Sequence, residues 1–212
     1  MMFPQDPARI PATPASASIN RIRIVDLPGI DVDAAVRGAQ AYHLVSGPAL
    51  IRYAQAAGDA LALPEQLRLG DPTSPEVRRE LPRLVDARLA HPNLAVREAA
   101  QAIARRLGRN LGYILLAIRR GDDVNRAARP DWPASAWEDW AHIGRVWLGG
   151  GVVSGKLGLA LIDHANRLLA AHRAPIDSGA CETPPGSPPT APATVARTPQ
   201  PRNMAILGAG RY

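Results

Sequence analysis

The stretch "RVWLGGGVVSGKLG", residues 145–158, decides how this chain is read. A short apolar run is followed by three glycines and then by the start of a periodic apolar segment. Strand, glycine-rich turn, helix is the order found at phosphate and nucleotide sites, and equally at any plain strand-to-helix connection. Gly150 to Lys156 matches the G-x-x-x-x-G-K part of a P-loop, and Lys156 is the only lysine in the chain. A P-loop also needs Ser or Thr after the lysine, because that hydroxyl binds magnesium. Here the residue is Leu157. "IVDLPGI", residues 24–30, imitates the Asp-x-x-Gly segment of GTP-binding proteins, but it precedes the glycine turn instead of following it. The stretch is therefore not read as a P-loop, and "DLPG" is read as a Pro-Gly turn.

Working outward, "KLGLALIDHANRLLAAH" (156–172) places Leu157, Leu161, Ala165 and Leu168 at helical spacing. The strongest periodic signal lies upstream in "NLAVREAAQAIARRLGRNLGYILLAIRRG" (93–121). There Ala99, Ile103, Leu107, Leu111, Leu115 and Ile118 recur every three or four residues. Gly108 and Gly112, one turn apart, leave room for another element to come close. Arg119 and Arg120 suit the negative end of this helix, and Gly121 suits its C-cap.

Two shorter helices are expected before it. "SGPALIRYAQAAG" (46–58) offers Ser46 as N-cap, Pro48 in the first turn and Gly58 at the end. "TSPEVRRELPRLVDARLA" (73–90) starts at Thr73 or Ser74, with Pro82 expected to interrupt or kink it. "RIRIV" (21–25) alternates polar and apolar residues and is expected as a short strand. Trp132, Trp137 and Trp140 fall in 122–144, where a short packed helix is expected over a base- or sugar-stacking platform. An exposed tryptophan segment would instead serve as a contact surface.

Composition narrows the classes. Aromatics are only 4% of the 212 residues, so the core must be built from aliphatic side chains. The single cysteine, Cys181, excludes a disulfide framework or a multi-cysteine zinc site within the chain. There is no long apolar run and no apolar leader, so a cytoplasmic setting without a membrane span is expected. The net charge of +6 comes from scattered arginines, many beside Asp or Glu, which makes a nucleic-acid partner an unfavoured reading. Residues 1–20 and 174–202 are rich in Pro, Ala, Ser or Thr and read as disordered lead-in and insertion.

Four segments in order resemble the C-terminal lobe of the ROK family (repressors, open reading frames and sugar kinases). "LVSGPALIRYAQAAG" is similar to its Ser-Gly-x-Ala-Leu helix, and "AAQAIARRLGRNLGYILLAI" to its long Leu-Gly-x-x-Leu helix. "VWLGGGVVSGKLG" is similar to its strand and Gly-Gly-Gly turn, and "AILGAG" (205–210) to its last strand. The resemblance implies a helix-rich α/β fold: one lobe of an actin-like (ribonuclease H-like) ATPase fold, with a small incomplete sheet. The lobe would cover 21–173 and close with a strand in 203–212. The sheet would hold 145–148 and 203–207, with 21–25 as a third candidate. The glycine turn would be the adenosine side of a partial ATP site, formed by Gly149, Gly150, Gly151, Ser154, Gly155 and Lys156. Glycines let backbone amides approach a ribose or phosphate, Ser154 adds a hydroxyl, and Lys156 adds a charge.

The chain departs from the family in having no Asp-x-Gly-Gly-Thr turn, no Asn-Asp segment for the catalytic base, and no Cys-rich zinc motif. His43, in "RGAQAYH" ahead of the Ser-Gly helix, is read as structural. The expectation is a truncated or degenerate sugar-kinase-like protein without independent phosphoryl transfer, with weak or vestigial binding of ATP and magnesium. A sugar or nucleotide ligand, a homo-oligomer or a completing partner chain would then be its partners. The other reading is a non-enzymatic interaction or scaffold protein that retains the helical core, with no nucleotide site. The Pro-rich "TPPGSPPTAP" (183–192) would be one of its contact surfaces.

Overall fold

The computed structural model describes residues 19–172 and 193–198. They form a helix-rich α/β structure with a two-stranded parallel sheet. Its axis is helix α5, Leu94–Arg120. The Asn93 side chain accepts from the amides of Ala95 and Val96 and starts the helix. Gly121, at φ 55°, ends it in the left-handed conformation that glycine adopts without cost. The apolar stripe of the first half widens until every residue from Asn110 to Ile118 is buried, so neighbours surround the C-terminal half.

The largest of those neighbours is α8, Lys156–Ala171. It crosses α5 at the two glycines. A Cβ on Gly108 would lie 2.5 Å from the Leu161 carbonyl oxygen and 2.6 Å from His164 Cβ, and one on Gly112 would lie 2.6 Å from Leu168 Cδ2. The contact is therefore backbone against backbone at Gly108, as the spacing of the glycines predicts. His164 is half-buried in this contact. Burial and the nearby Arg105 guanidinium push its pKa below the ordinary histidine value. A histidine held neutral in the fold stabilises above its unfolded pKa, near 6.5, and that contribution falls as pH drops below it. We expect unfolding titrations from pH 7.5 to 5.5 to show stability falling, with a shallower slope in His164→Gln.

Four helices cover the other side. α1 is Ala41–Val45, α2 Gly47–Ala56, α3 Glu65–Arg68 and α4 Pro75–Arg88. Ser46 caps α2 through the Ala49 amide, and Ser74, not Thr73, caps α4 through the Val77 amide. α4 runs unbroken through Pro82. Val77, Leu81 and Val85, four residues apart, are buried on one face and outweigh the hydrogen bond that Pro82 cannot give to the Arg78 carbonyl. Arg78 is exposed, so solvent can serve that carbonyl.

Residues 21–25 correct the expectation of a strand. Arg23 makes one isolated antiparallel bridge to Gln40, and no ladder extends from it. The alternation has its meaning in burial: Ile22 and Ile24 are fully buried and the arginines are not. "DLPG" is the expected turn, closed by the Ile30 amide on the Leu27 carbonyl with Gly29 at φ 80°.

Beyond α5 come α6, Asp123–Ala127, and α7, Ala134–Ala141. Trp132 and Trp137 are buried edge-to-face at 5.1 Å, as core residues. An exposed tryptophan surface is thereby corrected for both. Strand β1, Arg145–Leu148, follows where expected. Its parallel partner β2 is Thr194–Arg197, inside the stretch 174–202 that the sequence marks as linker. The β-branched pair Thr194–Val195 supplies strand propensity there, and Val195 is buried. The Asn166 side chain of α8 holds β2 from another direction, accepting from the Val195 amide and donating to its carbonyl at 2.8 and 3.0 Å. The strand expected at 203–207 and the segments 1–18, 173–192 and 199–212 lie outside the described residues, and with them Cys181. Among the described residues no helix is long and apolar enough to cross a membrane.

Candidate functional site

The turn between β1 and α8 carries every residue expected to bind a nucleotide. Val146 is buried under the sheet, while Arg145 and Trp147 point outward with the guanidinium 5.5 Å from the indole. The chain then turns at Gly150, whose φ of 98° and ψ of 173° suit only a residue without Cβ. Gly151–Val153 form one 3-10 turn. Added Cβ atoms at Gly150 and Gly151 would meet nothing within 4 Å, so this edge faces open space.

The second half of the turn is committed to the fold. The Ser154 hydroxyl donates to the Gly151 carbonyl at 2.8 Å, and the Ser154 carbonyl accepts from Arg197 at 3.1 Å. Val153 is buried, and the backbone of Gly158 lies directly against it, leaving no room for a side chain at Gly158. Gly155 is the N-cap of α8 and has no side chain to cap with. Asp86 supplies the cap from α4: its carboxylate accepts from the Leu157 amide at 2.7 Å and packs against Gly155. A carboxylate thus already sits at the positive end of α8, where an incoming phosphate would have to be placed. Lys156 is exposed beside it.

The structure therefore brings Gly150 and Gly151 to an open edge with Gly149 half-buried beside them, bonds the Ser154 hydroxyl back to Gly151, sets Gly155 against Asp86, and leaves Lys156 exposed. Asp86 is the residue that sequence reasoning missed. It lies in the last turn of α4 in "RLVDAR", where nothing local marks it as the cap of a helix 70 residues later. His43 is exposed, its ring lies edge-on to that of Tyr42 at 5.5 Å, and its carbonyl accepts from Arg52 and Tyr53. Asp86→Ala removes a charged cap from a partly buried helix end and is expected to lower stability by about 1–2 kcal/mol in urea unfolding. Compared with family models, curated proteins and solved structures, the chain matches none.

Proposed function

We propose that this protein is a non-enzymatic interaction protein built on a helical core, with the β1–α8 turn as a structural connection. The observation that supports this most is Asp86 on the Leu157 amide. A second carboxylate-like charge brought to that helix end would meet like charge at contact distance. Ser154, the hydroxyl donor of the nucleotide reading, is also spent within the turn.

A second reading rests on the ROK resemblance: an actin-like, sugar-kinase-like lobe that binds ATP with magnesium through a partial site and does not transfer phosphoryl by itself. A sugar ligand, a second copy or a completing partner chain would belong to that reading. The open edge at Gly150 and Gly151 is its specific support, since exposed glycine backbone there can approach a ribose.

Calorimetric titration of Mg-ATP and Mg-ADP into the purified chain separates the two. We expect no heat of binding that depends on Gly151. Binding that is lost in Gly151→Asp would overturn the proposal and reinstate the adenosine-side turn. Gly151 is the position to substitute, because its neighbour Gly150 also needs its backbone conformation.

A further inference from the structure

Most arginines in the described residues hand their guanidinium to an acid or a carbonyl. Arg37 pairs with Asp26, Arg68 with Asp59 and Arg167 with Asp163, while Arg88 donates to the Leu61 and Ala62 carbonyls and Arg97 to that of His91. On one face of α5 the pattern fails. Arg105, Arg106 and Arg109 are exposed, and none makes an ion pair with a described residue. They line a cavity of about 330 Å³ together with Asp33, Asn110 and Tyr113.

Two of the three guanidinium groups are already oriented. Arg106 lies over the Tyr53 ring, 4.2 Å from its centre. The Tyr53 hydroxyl donates toward the Leu44 carbonyl, and the buried Asn110 side chain donates to both oxygens. Arg109 donates to the Tyr113 hydroxyl at 3.1 Å, and that hydroxyl donates to the Asp31 carbonyl. Side chains held in place by packed aromatics lose little freedom when a ligand arrives. Asp33 is the one acid in the cavity. Its carboxylate accepts from the Ala35 amide at 2.9 Å; Asp33 and, outside the lining, Asp31 both favour the charged Arg109, and three guanidinium groups outnumber the two carboxylates.

We propose that this α5 cleft binds a small molecule bearing a phosphate dianion. Three guanidinium forks supply the positive charge and the N–H donors that such a group needs, and the cavity lies at the small end of ligand pockets, about 300–1,000 Å³. Arg105 and Arg109, one turn apart, repel each other in the empty site, and a dianion between them relieves that repulsion. The site is separate from the β1–α8 turn, so it stands whether or not the turn binds a nucleotide.

The test is calorimetric titration of ribose 5-phosphate, with ribose as the uncharged control, into the wild type and an Arg105→Gln/Arg109→Gln variant. We expect binding of ribose 5-phosphate but not ribose, weakened about tenfold or more in the variant. The melting temperature of the ligand-free variant checks folding; it should stay close to that of the wild type, because Arg109→Gln gives up only the bond to the Tyr113 hydroxyl and leaves Tyr53 and Asn110 in place. No binding to the wild type, or equal binding to both proteins, overturns the proposal. So does Arg105/Arg109-dependent binding of a duplex or single-stranded oligonucleotide in the absence of ribose 5-phosphate binding, which would make the cleft a nucleic-acid surface.

Discussion

Gly108→Ala is expected to destabilise the protein by about 1–3 kcal/mol, although alanine is the better helix former by about 1 kcal/mol. The new methyl would stand 2.5 Å from the Leu161 carbonyl oxygen and 2.6 Å from His164 Cβ, both fixed parts of α8. No rotamer change can relieve that overlap, so α8 must move away from α5 and the most extensive contact in the fold must open. Gly47→Ala is the matched control. Gly47 is also helical, and a Cβ there meets nothing within 4 Å, so that substitution should be neutral or stabilising. Urea unfolding of the two variants checks the contrast. Equal effects of the two would show that the glycines matter only through helix propensity.

Asn125→Ala is the second large effect. Asn125 is buried on α6, and its amide holds the N-terminal segment by three contacts. Its oxygen accepts from the Val25 amide at 2.9 Å and the Asp26 amide at 3.4 Å, and its nitrogen donates to the Asp26 carbonyl at 2.7 Å. Truncation leaves those backbone groups without partners in a half-buried place, at about 2–4 kcal/mol in total. Ile22, Ile24 and Leu27 are fully buried in this segment, so its release would also expose apolar surface. Asn125→Asp keeps the acceptor but sets a carboxylate oxygen against the Asp26 carbonyl, and should recover part of the loss at most. Hydrogen exchange at residues 22–27 is the direct readout. Protection unchanged in Asn125→Ala would show that the apolar contacts alone hold the segment.

Local features were legible wherever a residue acts on its own few neighbours. Ser46 and Ser74 cap the helices that follow them, and Gly121 ends the longest one, because capping is decided within four residues. The spacing of Gly108 and Gly112 announced a close approach. Where the reading went astray, the deciding partner is distant in the chain. Ile22 and Ile24 alternate like a strand, yet only 38–41 comes alongside, so one bridge forms instead of a ladder. The partner of β1 is recruited from a Pro- and Thr-rich stretch because Asn166 and β1 together satisfy its backbone.

The candidate site divides in the same way. Three glycines, a strand before them and a helix after them are properties of residues 145–158 alone, and the chain makes that connection as its sequence dictates. What the turn can hold depends on the charge at the first amides of α8, and that charge belongs to Asp86 on another helix. The arginines of α5 look scattered along the chain, but the helix stacks Arg105 over Arg109, and Tyr53 from α2 orients the exposed Arg106. By itself the sequence determined the longer helices, the serine caps of α2 and α4 and the glycine turn, since these rest on local backbone geometry. Only the tertiary structure decided which helix end is already neutralised and which cationic face is left unpaired, because electrostatic complementarity depends on distance in space.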